Sequence, residues 1–183
     1  MDLQLRGKHA LITGASRGIG RAIAELLASE GCNMTLAARS ESNLQHVKEV
    51  LESKYDVKVG VFAADLSVPE NRETLVSSCH GVDILVNNAG AIPAGSILDI
   101  EDTHWREAWD LKVFGYINLT RSIYRTMISR QSGVIVNIIG LAGERPDAGY
   151  IAGSMGNAGL MAFTKWVPRH RMRGFGLWVL IRA

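Results

Sequence analysis

The segment Thr13–Gly20, TGASRGIG, follows a short apolar run and opens a stretch whose apolar residues recur at helical spacing. Glycines at Gly14, Gly18 and Gly20 permit a sharp turn, a close approach of backbone to an anion, and tight packing of a helix against a strand. The helix that begins there aims its unpaired N–H groups and the positive end of its dipole at the same point. A glycine triplet alone marks many plain turns, but placed between a strand and a helix it predicts a pyrophosphate cradle. Charge then selects the dinucleotide. The second apolar run ends LAARS, with no acid to bond a ribose 2′-hydroxyl and with Arg39 in place to pair with a 2′-phosphate; Ser16 and Arg17 add a donor and a second cation. The expected cofactor is NADP in preference to NAD.

A second stretch with chemical potential is Tyr150–Leu160, YIAGSMGNAGL. A tyrosine that exchanges protons near neutral pH must be brought from its ordinary pKa of about 10 toward 7, a gap of roughly 4 kcal/mol. A lysine one helical turn further on could do this, but the residue four after Tyr150 is Ser154. Cys32 and Cys79 lie far apart and outside any metal-ligand spacing, so no metal site and no disulfide framework is expected.

Short apolar runs positioned to carry these residues alternate with helical stretches. The strand-like runs are His9–Thr13, Asn33–Ala38, Val57–Ala63, Asp83–Asn88 and Gly133–Ile139. Between them helices are predicted over Ile19–Glu30, Glu41–Lys54, Pro69–Ser78 and Thr103–Arg130, with Ser40 and Thr103 as N-caps of the second and fourth. Such alternation predicts an α/β fold, a doubly wound parallel sheet. Of the 183 residues, 47% are hydrophobic and 21% charged, as in an ordinary globular protein, and the net charge of +2 is too small for a nucleic-acid footprint. No apolar run is long enough for a membrane helix, so a cytoplasmic protein with a small-molecule substrate is expected. Residues 1–165 read as the dinucleotide-binding domain. From Trp166 onward, 166–183 forms an atypical tail in which Lys and Arg outnumber acids by 4 to 0, and Pro168 is expected to break the last helix.

TGASRGIG, AADLS at Ala63–Ser67 and NNAG at Asn87–Gly90, in this order and spacing, resemble the short-chain dehydrogenases/reductases over about residues 5–165. The resemblance implies a Rossmann-like sheet of strand order 3-2-1-4-5 and an NAD(P)-dependent oxidoreductase acting on a carbonyl or alcohol, usually as a homo-oligomer. It assigns the pyrophosphate to Gly14, Ser16, Arg17, Gly18, Ile19 and Gly20, and the adenine to Asp65 and Leu66. The adenine-ribose side falls to Asn88, Ala89 and Gly90. It also implies an asparagine, a serine, and a tyrosine with a lysine four residues on. Aligned through Trp105–Arg121, the asparagine position holds Lys112 and the serine position holds Gly140. Counting back from Thr164 puts Gly153 at the tyrosine and Asn157 at the lysine. Shifting the register so that Tyr150 takes the tyrosine's role leaves Ser154 in place of the lysine. Lys112, Tyr150 and Asn157 are therefore the residues from which an atypical catalytic site could be re-formed. The alternative is a non-catalytic NADP-binding protein of the same fold. The sixth and seventh strands of the family fold are not recognisable in the tail, so the sheet is expected to end at its fifth strand with an exposed edge.

Overall fold

The computed structural model describes residues 3–166 and 175–182. Among these, β1 (His9–Thr13), β2 (Asn33–Ala38), β3 (Val59–Ala63), β4 (Ile84–Asn87), β5 (Gly133–Gly140) and β6 (Phe175–Arg182) form one sheet of order β3-β2-β1-β4-β5-β6. Every pairing is parallel. The expected order 3-2-1-4-5 is present. The expected bare edge is not: β6 comes from the basic tail and pairs with β5 from Gly133↔Phe175 to Gly140↔Arg182. The tail's pattern does not announce a strand, because pairing with β5 is a long-range partnership that no local periodicity encodes. Pro168 lies outside the described residues.

Strand alternation sorts the core into two faces. Ala10 and Ile12 of β1 and Ile84 and Val86 of β4 pack against α1 (Gly18–Ser29) and α2 (Glu41–Lys54), through Ala24, Ala28, Leu44, Val47 and Leu51. Leu11, Leu85 and Ile135 point the other way, onto Leu75 of α3 (Pro69–Ser78) and Leu119, Ile123 and Met127 of α5 (Gly115–Arg130). Ser40 caps α2 by accepting from the Asn43 N–H at 3.4 Å. β3 starts two residues later than the apolar run suggests, because the Asn33 side chain takes the Lys58 N–H at 2.8 Å ahead of the ladder.

The long helix expected over Thr103–Arg130 is broken. α4 (Asp102–Trp109) starts one residue earlier, with Glu101 rather than Thr103 in the cap position and without a side-chain cap. A π-helical turn, Asp110–Phe114, then separates α4 from α5. This widened turn re-aims the side chains that follow α4, and π turns of this kind recur at functional sites. α6 (Ile151–Trp166) closes the β5 crossover and packs Leu160 and Met161 on Ile139 and on Tyr116 of α5.

A polar chain crosses this second face. Asn87 Nδ2 donates to Thr120 Oγ1 of α5 at 3.1 Å and to Asn137 Oδ1 at 2.8 Å, and Asn137 Nδ2 donates to Thr164 Oγ1 of α6 at 2.9 Å. Asn87 and Asn137 are register partners in β4 and β5, and all four residues are buried. Asn137→Ala removes one of the two acceptors of the Asn87 amide and the donor that meets the Thr164 hydroxyl, while the bonds to Thr120 and to the Leu160 carbonyl remain, so a loss of about 1 to 2 kcal/mol is expected in urea denaturation, with an unchanged far-UV spectrum.

Candidate functional site

At the C-terminal ends of β1, β4 and β5 the sheet opens into a cleft of ≈ 850 Å³. This is the position at which open α/β sheets receive ligands. Its first wall is the turn between β1 and α1. Gly14 and Gly18 sit at φ +67 and +58, a conformation that L side chains rarely adopt, and this lets the chain reverse tightly before the helix. Hydrogen bonds to β4 fix the turn. Thr13 Oγ1 accepts from the N–H groups of Asn88 and Ala89 at 2.9 and 3.0 Å, and Asn88 Nδ2 donates to the carbonyls of Thr13 and Gly14 at 3.0 and 3.2 Å. The two glycine-bearing segments, TGASRGIG and NNAG, are thus one hydrogen-bonded unit. Gly14, Ser16, Arg17, Gly18 and Ile19 line the cleft. Gly20 does not: it backs onto the Gly14 carbonyl, where a β-carbon would collide.

Arg39, Ser40 and Asn43 line the far end of the cleft, where β2 passes into α2, and Arg39 is exposed. Asp65 and Leu66, just beyond β3, stand beside them with Asn88, Ala89 and Gly90. Hydrogen bonds from the Ser67 N–H and hydroxyl, at 2.8 and 2.7 Å, hold the Asp65 carboxyl below its usual range; burial opposes them and Arg39 adds a smaller downward pull.

Lys112, Tyr150 and Asn157 line the opposite end with Ile138–Ala142. Lys112 comes from the π turn and does not reach away into solvent. Half-buried, it donates through Nζ to the Ile138 carbonyl at 3.1 Å and to the Tyr116 hydroxyl at 3.3 Å. The Tyr116 hydroxyl in turn donates to Ile138 O at 3.2 Å, and full burial raises its pKa far above the ordinary value, so it serves as a neutral donor.

The stretch around Tyr150 departs most from a residue-by-residue reading. Gly153 stands where the alignment looks for a tyrosine, yet a β-carbon there would fall on the ring of Tyr150. The ring of Tyr150 lies along the first turn of α6 and fills the space that a side chain at 153 would leave by. Asn157 repeats the pattern. A β-carbon at Gly140 would stand 2.8 Å from Asn157 Nδ2, and Asn157 Oδ1 accepts from the Gly140 N–H at 3.0 Å. Each missing side chain is thus replaced in space by a neighbour that a glycine admits. The backbone of Tyr150 is held from three sides: it bridges Gly95, its N–H donates to Asp147 O at 3.0 Å, and its carbonyl accepts from Ser154 N at 2.8 Å. Ser154, the residue four after Tyr150, accepts from the Asp147 N–H through Oγ at 3.1 Å and does not line the cleft. Burial moves the Tyr150 hydroxyl upward in pKa, and Asn157 acts on it in the opposite sense.

All the residues assigned from the sequence to the cofactor and to catalysis line this cleft except Gly20, but the exchange was not foreseeable, because counting along a helix assumes that each side chain works at its own position. Tyr116, which the sequence reading passed over, carries as its one signal a spacing of four from Lys112 on a helix. His46, His80 and His104 are exposed. Among the described residues no cluster of His, Cys, Asp or Glu could hold a metal, and no helix is long and apolar enough to cross a membrane.

Comparison with known proteins gives a consistent picture. Residues 8–171 match the short chain dehydrogenase family. The chain is 37% identical over 169 residues to the 3-oxoacyl-[acyl-carrier-protein] reductase FabG of Aquifex aeolicus, covering 90% of this chain and 68% of that protein. It is 33% identical to FabG of Vibrio harveyi over 168 residues, with 91% and 68% covered. The crystal structure of L-sorbose reductase from Gluconobacter frateurii, complexed with NADPH and L-sorbose, superposes with a TM-score of 0.86 at 35% identity, covering 91% of this chain and 65% of that one. A short-chain dehydrogenase from Sphingobium yanoikuyae in complex with NADPH shares the fold, with a TM-score of 0.90 at 24% identity over 95% of this chain and 70% of the other. The chain therefore spans about two thirds of the length of these relatives.

Proposed function

The chain belongs to the short chain dehydrogenase family, and from that premise we propose that it is an NADP-dependent oxidoreductase acting on a small carbonyl or alcohol substrate. The observation that carries this reading is the single cleft running from Arg39, past the Gly14–Ile19 turn, to Tyr150 and Asn157. The residues present fit the dinucleotide. Arg39 and Arg17 offer cations for a 2′-phosphate where no acid stands, the α1 N-terminus and Ser16 offer donors for the pyrophosphate, and Asp65, Leu66, Asn88, Ala89 and Gly90 offer a wall for the adenosine. Bound there, the reduced nicotinamide supplies hydride.

On the protein's side, Tyr150 gives or takes the proton at the substrate oxygen, Asn157 holds the hydroxyl in place, and Lys112 braces the inner wall through Ile138 O and Tyr116. Similar relatives act on a 3-oxoacyl thioester and on a keto sugar, so the substrate class is a carbonyl compound or its alcohol. The apolar side chains of Phe114 and Met155, exposed on the π turn and on α6, support a homo-oligomer.

Calorimetric titration with NADPH and NADH tests the reading. NADPH should bind and be consumed with some member of a panel of ketones and 3-oxoacyl thioesters. Arg39→Ala should weaken NADPH about 10- to 100-fold and NADH less than about threefold, the loss expected for charge-assisted bonds to a phosphate. Equal affinity for the two cofactors in the unaltered chain refutes the NADP assignment, and tight binding without turnover favours a non-catalytic dinucleotide-binding protein.

A further inference from the structure

Resting on that reading, we propose that the site is directional: at neutral pH it reduces a carbonyl and does not oxidise an alcohol, because the group seated beside the Tyr150 hydroxyl is the neutral carboxamide of Asn157. The ring of Tyr150 lies over Gly153, which has no side chain to displace it, and this carries the hydroxyl along α6 toward residue 157. Asn157 is 1% exposed, its Oδ1 accepts from the Gly140 N–H, and its side chain hydrogen-bonds with the tyrosine hydroxyl. The charged side chains on the surrounding elements do not change this. Asp147, in the loop before α6, accepts from the Gly149 N–H at 2.8 Å. Asp99, beside Gly95, accepts from the Ser96 N–H at 2.9 Å. Lys112 lines the cleft from the π turn with its Nζ on Ile138 O and the Tyr116 hydroxyl. The hydroxyl is accordingly shifted upward by burial, and Asn157 is the group that opposes the shift.

Each direction of the reaction needs a different form of this hydroxyl. In reduction, Tyr150 gives its proton to the carbonyl oxygen as the carbonyl carbon receives hydride from the reduced nicotinamide, which is left oxidised; the phenolate then takes a proton from water. The neutral tyrosine is the working form. In oxidation the phenolate must accept the alcohol proton. Burial raises the pKa of this hydroxyl above its ordinary value, so at neutral pH it stands almost entirely in the protonated form. Reduction is therefore level across neutral pH, whereas oxidation climbs with the phenolate fraction, about tenfold per pH unit, through and beyond neutrality.

The test is a spectrophotometric titration of tyrosinate in the cofactor-free chain beside Tyr150→Phe. Their difference isolates Tyr150, since Tyr55, Tyr116 and Tyr124 are common to both. The difference is expected to titrate at or above the free-tyrosine value, and Asn157→Lys to lower it by a unit or more while raising neutral-pH oxidation at least tenfold. Should the buried lysine prevent folding, the comparison with Tyr150→Phe alone decides the matter. A Tyr150 that titrates near neutrality in a chain that binds NADPH overturns the directional inference alone. A chain that fails to bind NADPH overturns the oxidoreductase reading and this one with it.

Discussion

Replacing Gly153 with alanine is expected to lower turnover about 100-fold or more, as much as Tyr150→Phe does, while NADPH affinity changes less than about threefold. The added methyl would occupy the position of the Tyr150 ring, and the ring must leave the wall of the cleft to admit it. The backbone of Tyr150 cannot follow, being fixed by its bridge to Gly95 and its bonds to Asp147 and Ser154. Only rotation of the side chain relieves the overlap, and rotation carries the hydroxyl away from Asn157. A double-mutant cycle gives the decisive comparison: once the hydroxyl is absent in Tyr150→Phe, adding Gly153→Ala should cost turnover little more. Additive losses would show that position 153 acts other than through Tyr150, and unchanged turnover in Gly153→Ala would remove Tyr150 from the working site.

Gly20→Ala is expected to weaken NADPH binding by at least about 100-fold, although Gly20 does not itself line the cleft. Its added methyl would overlap the Gly14 carbonyl oxygen and crowd Asn88 Nδ2, which are backbone and a carboxamide already committed to two hydrogen bonds. Neither yields as the end of a flexible side chain would. α1 must therefore move off the turn, which separates the helix N-terminus from the donors of Ser16 and Arg17, and overpacking of this kind costs about 1 to 3 kcal/mol of stability besides. Fluorescence titration with NADPH reads the first effect and thermal unfolding the second. An affinity within threefold of the unaltered chain would mean that the turn does not hold the pyrophosphate.

The contrast between these two glycines shows what the amino-acid sequence could disclose. The turn at Gly14–Gly20 was legible because its causes are local: a strand, three glycines and a helix start stand within eight residues, and the function of each follows from backbone geometry. The same holds for the existence of β1–β5, where each apolar run is bounded by turn residues, whereas their order came from the family resemblance. Gly153 was legible as a departure from the family pattern but not as an accommodation, because the ring that fills its space starts three residues earlier. The π turn at Asp110–Phe114 was illegible for a related reason: one widened turn leaves the apolar periodicity of the whole 102–130 stretch nearly unchanged, yet it decides which way Lys112 points. β6 was illegible because its partner is β5, reached across α6, and an edge pairing leaves no signature in the tail itself.

The buried chain Thr120–Asn87–Asn137–Thr164 has a mechanical meaning for the cleft. It bolts α5 and α6 to β4 and β5 at one level, below the groups those helices present to the ligand. Sliding either helix along the sheet would break bonds that no water replaces. The wall bearing Lys112 and Tyr116 and the wall bearing Tyr150 and Asn157 therefore behave as a single rigid jaw. The segments that the bolts do not reach, at 91–101 and 141–149, are tied to each other by the Gly95–Tyr150 bridge, which fastens the rim of the cleft to the same jaw.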